Sequence, residues 1–122
     1  VLHHVVIEVS DMNRSAAFYD AVISPLGWRR HGNGNGNGAI GYGISRPILL
    51  ITERANVCAD GALVCLAAPG IAAVKAAWEA GCAKGGLSVA PPGETTGHGS
   101  GTYSAYLRDP DGQEIEITVG TD

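Results

Sequence analysis

The sequence predicts an α+β domain: two β-α-β-β-β modules whose mixed sheets form a concave cup. Three observations carry this reading. First, "HHVVIEVSDMNRSAAFYDAVISPLGW" and "ALVCLAAPGIAAVKAAWEAGCAKG" each read as strand, capped turn, helix and glycine, and strand-like segments follow each, so the chain holds a weak internal repeat. Second, the first and last strands alternate an apolar face with one that bears carboxylates, as half-buried strands do. Third, 122 residues that are 45% apolar and 16% charged suit one globular domain rather than two separate cores. Each unit leaves one sheet face without a helix, and pairing the units joins those faces into a groove. The expected organisation is a single domain, 1–122, with modules at 1–57 and 58–122.

The elements follow in order. In "LHHVVIEVSD" successive side chains point to opposite faces, which puts His3, Val5, Ile7 and Val9 toward a core and His4, Val6 and Glu8 on the other side. Ser10 or Asp11 then caps a helix on which Ala17, Phe18, Ala21 and Val22 share a face, and Pro25 and Gly27 stop it. "HGNGNGNGAIGYG" places four glycines at alternate positions from Gly32 to Gly38, a flexible loop or hairpin turn. It lacks the Lys-Ser/Thr that ends a phosphate-binding loop. "RPILLITER" is a strand with Ile48, Leu50 and Thr52 on one face and Leu49 and Ile51 on the other.

In the second module "ALVCLAA" is a short buried strand, and "GIAAVKAAWEAGCAKGG" is a helix that turns Ile71, Val74, Ala77 and Trp78 to the sheet. "LSVAPPGETTGHGSG" has the Pro, Gly, Ser and Thr content of a long surface loop bordering a pocket. "TYSAYLRDPDGQEIEITV" is two strands joined by a type I turn over Asp109-Pro110-Asp111-Gly112. Its last strand carries Ile115, Ile117 and Val119 on one side and Glu114, Glu116 and Thr118 on the other. Tyr103 and Tyr106 fall on opposite faces, so at most one lines the groove. Arg14 and Asp11 serve capping and surface pairing, and Trp78 belongs to the core.

The totals exclude several functions. Net charge is −4 and the eight Lys and Arg are scattered, with only Arg29 and Arg30 adjacent, which argues against a nucleic-acid surface. The most apolar window is broken by Pro69, Gly70, Lys75 and Glu79 and does not suit a membrane span. Cys58, Cys65 and Cys82 are odd in number and form no C-x-x-C pair, which fits reduced thiols in a cytoplasmic protein and speaks against a disulfide scaffold or structural zinc.

Across nearly its whole length the chain resembles the vicinal oxygen chelate superfamily, which includes glyoxalase I, bleomycin-resistance proteins and extradiol dioxygenases. "LHHVVIEVSDMNRSAAFYDAVISPLG" and "YSAYLRDPDGQEIEI" carry the likeness. Fold does not settle chemistry, since one fold hosts several reactions. The resemblance implies metal ligands at four strand positions. Two correspond to His4 and Glu116, which alternation also puts on polar faces. The other two align with Leu50 and Ala62, which have no lone pair to offer. Glu8 does not complete the set, because it lies about 13 Å along the strand from His4 at roughly 3.3 Å per residue. Cys65, of opposite parity to Ala62, is expected to face the core. His98, on a Gly-rich loop, is the candidate third ligand.

Two functions follow from the resemblance. One is a divalent-metal-assisted enzyme of the lyase, isomerase or dioxygenase type, with Zn, Mn, Ni or Fe on His4, Glu116 and His98. Leu50 disfavours glyoxalase I proper, and Ala62 disfavours dioxygenase iron. The other is a metal-free protein that sequesters an antibiotic or other small molecule. In either, Glu8, Leu50, Ala62, Tyr106 and Glu114 line the pocket, and an acidic groove suits a cationic ligand. Without the resemblance, His4 and Glu116 read as a hydrogen-bonded pair or as two half-exposed polar residues. The expected partners are a small-molecule ligand and a second copy in a homodimer, with neither nucleic acid nor membrane.

Overall fold

A computed structural model describes residues 2–32, 38–59, 61–95 and 102–119. Strand β1 (Val5–Val9) leads into helix α1 (Met12–Ile23), a 3₁₀ turn over Ser24–Leu26, and strands β2 (Arg29–Arg30), β3 (Ile40–Gly43) and β4 (Leu49–Glu53). The order then repeats as β5 (Leu63–Ala68), α2 (Ile71–Ala83), β6 (Leu87–Thr95), β7 (Thr102–Arg108) and β8 (Glu114–Val119). Two four-stranded sheets result, in the orders β1-β4-β3-β2 and β5-β8-β7-β6. In each, the strand before the helix pairs in parallel with the last strand of its module, and the other pairings are antiparallel. The α+β duplication and the mixed sheets are as the repeat indicated. Among the described residues no strand pairing joins the two sheets, so one chain leaves the cup open.

Local chemistry explains the helices and corrects two of their faces. Asp11, in extended backbone, accepts the Arg14 N–H at 3.0 Å and caps α1. The buried side of α1 is Ser15, Ala16, Phe18, Tyr19, Val22 and Ile23, whereas Ala17 is exposed. The face is rotated because Tyr19 is fully buried, its hydroxyl donating to Asp109 Oδ2 at 2.6 Å. On α2 the buried residues are Val74, Ala77 and Gly81, and Ile71 at the helix start is exposed. Trp78 packs against the core with its Nε1 donating to Ser88 Oγ at 3.1 Å.

The Pro-rich segment after α2 is a strand and not the expected loop as far as Thr95. β6 is the edge strand of its sheet, and its register against β7 shifts between Ser88 and Ala90 and again between Ala90 and Gly93. An edge position and these irregularities accommodate Pro91 and Pro92, whose missing N–H groups would break an interior ladder. The turn between β7 and β8 closes as its sequence indicated, Gly112 N–H donating to Asp109 O at 2.9 Å with Gly112 at φ +93°. Gly32 and Gly38 bracket a segment, 33–37, that lies outside the described residues.

One core unites the modules. α1 packs on α2, and the buried cluster runs without a break from Ile7, Val9, Phe18 and Ile51 to Leu66, Val74, Leu107 and Ile117. A polar clamp adds to it: Asp111 accepts from Ser10 N–H at 2.9 Å, Arg14 Nη2 at 3.2 Å and Ser15 Oγ at 3.5 Å, and also from the Ser10 hydroxyl. The β7–β8 turn of the second module is thereby tied to the start of α1 in the first. Among the described residues no helix is long and apolar enough to cross a membrane.

Candidate functional site

The second sheet turns Ile115 and Ile117 of β8 to the helix-covered core, so Glu114, Glu116 and Thr118 point the other way. Register builds that outward face into three rows. Arg108, Glu114 and Leu63 form the first; Tyr106, Glu116 and Cys65 the second; Ser104, Thr118 and Ala67 the third. Ser104 Oγ donates to Thr118 Oγ1 at 2.8 Å within the third row. Glu116, at the centre, is only 4% exposed. Cys65 stands beside it in register, and desolvation together with the Glu116 charge pushes the thiol up to about 11. Tyr103 instead packs against the core, so Tyr106 is the groove-side tyrosine of β7.

The outward face of the first sheet is less polar. Val6 pairs in register with Leu50, and Glu8 with Thr52. Leu50 is nearly buried, and Glu8 reaches Arg54 across 3.4 Å. His4, just before β1, is exposed, and its Nδ1 lies 2.8 Å from Nδ1 of His3.

His4 and Glu116 therefore belong to different sheets, each with a different polar neighbour. His98 lies outside the described residues. Among the described residues no three His, Cys, Asp or Glu side chains gather where one cation would bind them. The donor set explains this. Aligning the modules on Met12 and Ile71, where their helices begin, sets Leu63 opposite His4, and the β1–β4 and β5–β8 registers set Leu50 opposite Glu116. Neither leucine offers a lone pair, so the described residues do not fit a divalent metal centre.

The same equivalence corrects two readings. The counterpart of His4 is Leu63 and not Ala62, which precedes β5. Cys65 consequently faces outward beside Glu116 instead of into the core, because a one-residue shift in a strand flips every side chain. The signal was present in Leu66 and Ala68, whose burial fixes the parity of β5.

Two hollows adjoin these faces. A polar one of about 290 Å³ at the end of the second sheet is lined by Ala62, Leu63, Arg108 and Glu114 among others. An apolar one of about 220 Å³ lies between β1 and β5 and includes His3, His4, Trp28, Val64 and Cys65 in its lining.

The family model described as the Glyoxalase/Bleomycin resistance protein/Dioxygenase superfamily matches residues 1–117. Among solved structures, a glyoxalase/bleomycin resistance protein from Albidiferax ferrireducens T118 is similar at 29% identity and a TM-score of 0.80, with 97% of each chain covered. A glyoxalase/bleomycin resistance protein/dioxygenase family enzyme from Burkholderia phytofirmans PsJN is similar at 19% identity and a TM-score of 0.74, again with 97% of each chain covered. A glyoxalase-related enzyme from Fulvimarina pelagi is similar at 19% identity and a TM-score of 0.73, covering 98% of this chain and 88% of its own. These last two likenesses show the fold alone. No curated protein matches the chain.

Proposed function

The chain belongs to the Glyoxalase/Bleomycin resistance protein/Dioxygenase superfamily, and we propose that within it this protein binds a cationic or N–H-bearing small molecule across the Tyr106–Glu116–Cys65 row. The observation that carries the proposal is Glu116, a carboxylate 4% exposed at the centre of an outward sheet face. Taking such a group out of water is costly unless strong donors face it. The thiol beside it is a weak donor. A ligand ammonium or amide that reaches Glu116 would add a charge-assisted hydrogen bond to it. Glu114, Leu63 and Ala62 extend the binding surface toward the polar hollow. Leu50 and Glu8 belong to the facing sheet of a groove that a second copy in a homodimer would close.

On this reading His4 and Glu116 do not share a metal, and no step is assigned to one. The alternative is a metal-assisted lyase, isomerase or dioxygenase-type enzyme in which His98 completes a shell for Zn, Mn, Ni or Fe. Calorimetry separates the two. Bleomycin freed of metal and a panel of small aromatic amines are titrated into wild type, Glu116→Gln and His4→Ala, and the four metals are titrated in parallel. The expected result is amine or drug binding weakened about tenfold or more, some 1.4 kcal/mol, by Glu116→Gln and unchanged by His4→Ala. Metal binding at micromolar or tighter affinity that both substitutions abolish would replace this proposal with the enzyme.

A further inference from the structure

β1 and β5 are each the outermost strand of their sheet, and among the described residues each pairs with one neighbour only. They border the apolar cavity of about 220 Å³. The cavity is lined from both sides of the sheets: Leu49, Val64 and Leu66 face the helix-covered core, whereas His4 and Cys65 lie on the outward side, so it opens at the seam where the modules meet, with Trp28 beside them. His3 and His4 line the same cavity from the segment before β1.

Among the described residues no Asp or Glu lines the seam, and its one thiol, Cys65, stands on the side toward Glu116. Arg46 Nη1 donates to the His3 carbonyl at 2.8 Å, which brings a guanidinium to the residue that lines the cavity. His3 and His4 meet Nδ1 to Nδ1 at 2.8 Å, a contact that requires a proton on one nitrogen and a lone pair on the other. That proton is held within the pair, and the accepting ring keeps its own on Nε2, so one imidazole N–H remains beside the hollow, with the Arg46 guanidinium next to His3. An apolar space of about 150 Å³ is enough to admit a benzene-sized body in a well-studied case.

We propose that this seam is a binding site for a compact apolar monoanion, a short aliphatic or aromatic carboxylate. Its body would lie between β1 and β5 against Trp28, and its carboxylate would accept from the His3 imidazole and the Arg46 guanidinium. Cys65 borders both this cavity and the row around Glu116, but the two assignments rest on different polar groups and take ligands of opposite charge, so either survives the loss of the other. A ligand that touches both modules binds the native state alone and raises its stability.

Benzoate and hexanoate are the probes, with benzyl alcohol and benzylamine as neutral and cationic counterparts. Binding is followed by tryptophan fluorescence and thermal unfolding in wild type, Trp28→Phe, His3→Gln, Arg46→Gln and Val64→Phe. The expected result is saturable quenching by benzoate with a dissociation constant of about 1 mM or below, an affinity that so small a ligand readily reaches. That quenching is lost in Trp28→Phe while the rise in unfolding temperature persists. Benzyl alcohol binds about tenfold more weakly, a difference of some 1.4 kcal/mol, and benzylamine more weakly still. His3→Gln and Arg46→Gln, at exposed side chains that leave the core intact, each lower benzoate affinity several-fold and leave benzyl alcohol unchanged. Val64→Phe fills the cavity and removes binding of all probes. No saturable benzoate or hexanoate binding, equal affinity for benzylamine, or benzoate affinity unaltered by His3→Gln and Arg46→Gln would each overturn the proposal.

Discussion

At the scale of single residues, the one side-chain pair that is hydrogen-bonded and buried on both sides among the described residues is Tyr19–Asp109. Asp109 is 3% exposed and accepts from Tyr19 O–H at 2.6 Å and from the backbone N–H groups of Asp111 and Gln113 at 2.9 Å each. Burial raises its carboxyl above the ordinary range, while the Tyr19 and backbone bonds pull it partly back. The Tyr19 phenol is raised well above its usual value by burial and by the Asp109 charge, so it stays a donor. A carboxyl raised on folding contributes most in acid, and that contribution declines as pH climbs from the ordinary carboxylate range through the folded value. Tyr19→Phe removes one of the bonds that favour the ionised form and raises Asp109 further. The variant should therefore lose about 1–3 kcal/mol at neutral pH, with a smaller loss in acid, where Asp109 is protonated in both proteins. Urea midpoints at pH 7 and pH 3 check this, and a gap that widens in acid would contradict it.

Among the elements, α2 depends on having no side chain at one point of its buried face. A Cβ on Gly81 would stand 2.7 Å from Leu107 Cδ1 and 2.8 Å from Val22 Cγ2, which places α2 close against both α1 and β7. Gly81→Val would overpack this crossing and should destabilise the fold by about 1–3 kcal/mol, whereas a valine in an open helix position costs less than about 1 kcal/mol. Thermal or urea unfolding measures the loss, and an unchanged midpoint would mean that the helices part without penalty. β6 has the opposite requirement. Its position at the sheet edge and its two register shifts tolerate Pro91 and Pro92 where an interior strand would not.

Over the whole molecule, each outward sheet face leaves apolar side chains in solvent. Val6 is 50% exposed on the first sheet and Leu63 45% on the second. Apolar patches of this kind mark association sites, and a twofold dimer would set one copy's first sheet against the other's second. Size-exclusion chromatography with light scattering is expected to give a dimer for wild type. Val6→Lys, which puts a charge on that face without touching the core, is expected to shift it toward monomer. A wild type that runs as a monomer at every concentration would refute the proposed dimer and leave the cup open.

The sequence by itself determined whatever depends on neighbours a few residues away. The period-two alternation of β1 and β8, the Asp11 cap and the Asp109–Gly112 turn were all legible because strand pleat, helix capping and turn geometry are local. The duplicated module was legible because each half repeats those local signals. Only the tertiary structure decided what depends on distant contacts. Tyr19 enters the core because Asp109, ninety positions on, accepts its hydroxyl, and this rotates the face of α1. Cys65 turns outward because the burial of Leu66 and Ala68 sets the parity of β5, one residue away from the position the resemblance gave Ala62. His4, just before β1, and Glu116, on β8, fall to different sheets because among the described residues no hydrogen-bond ladder links β1 to β5. Side-chain periodicity tells which face a residue takes, but burial of the shared core sets how two faces are arranged.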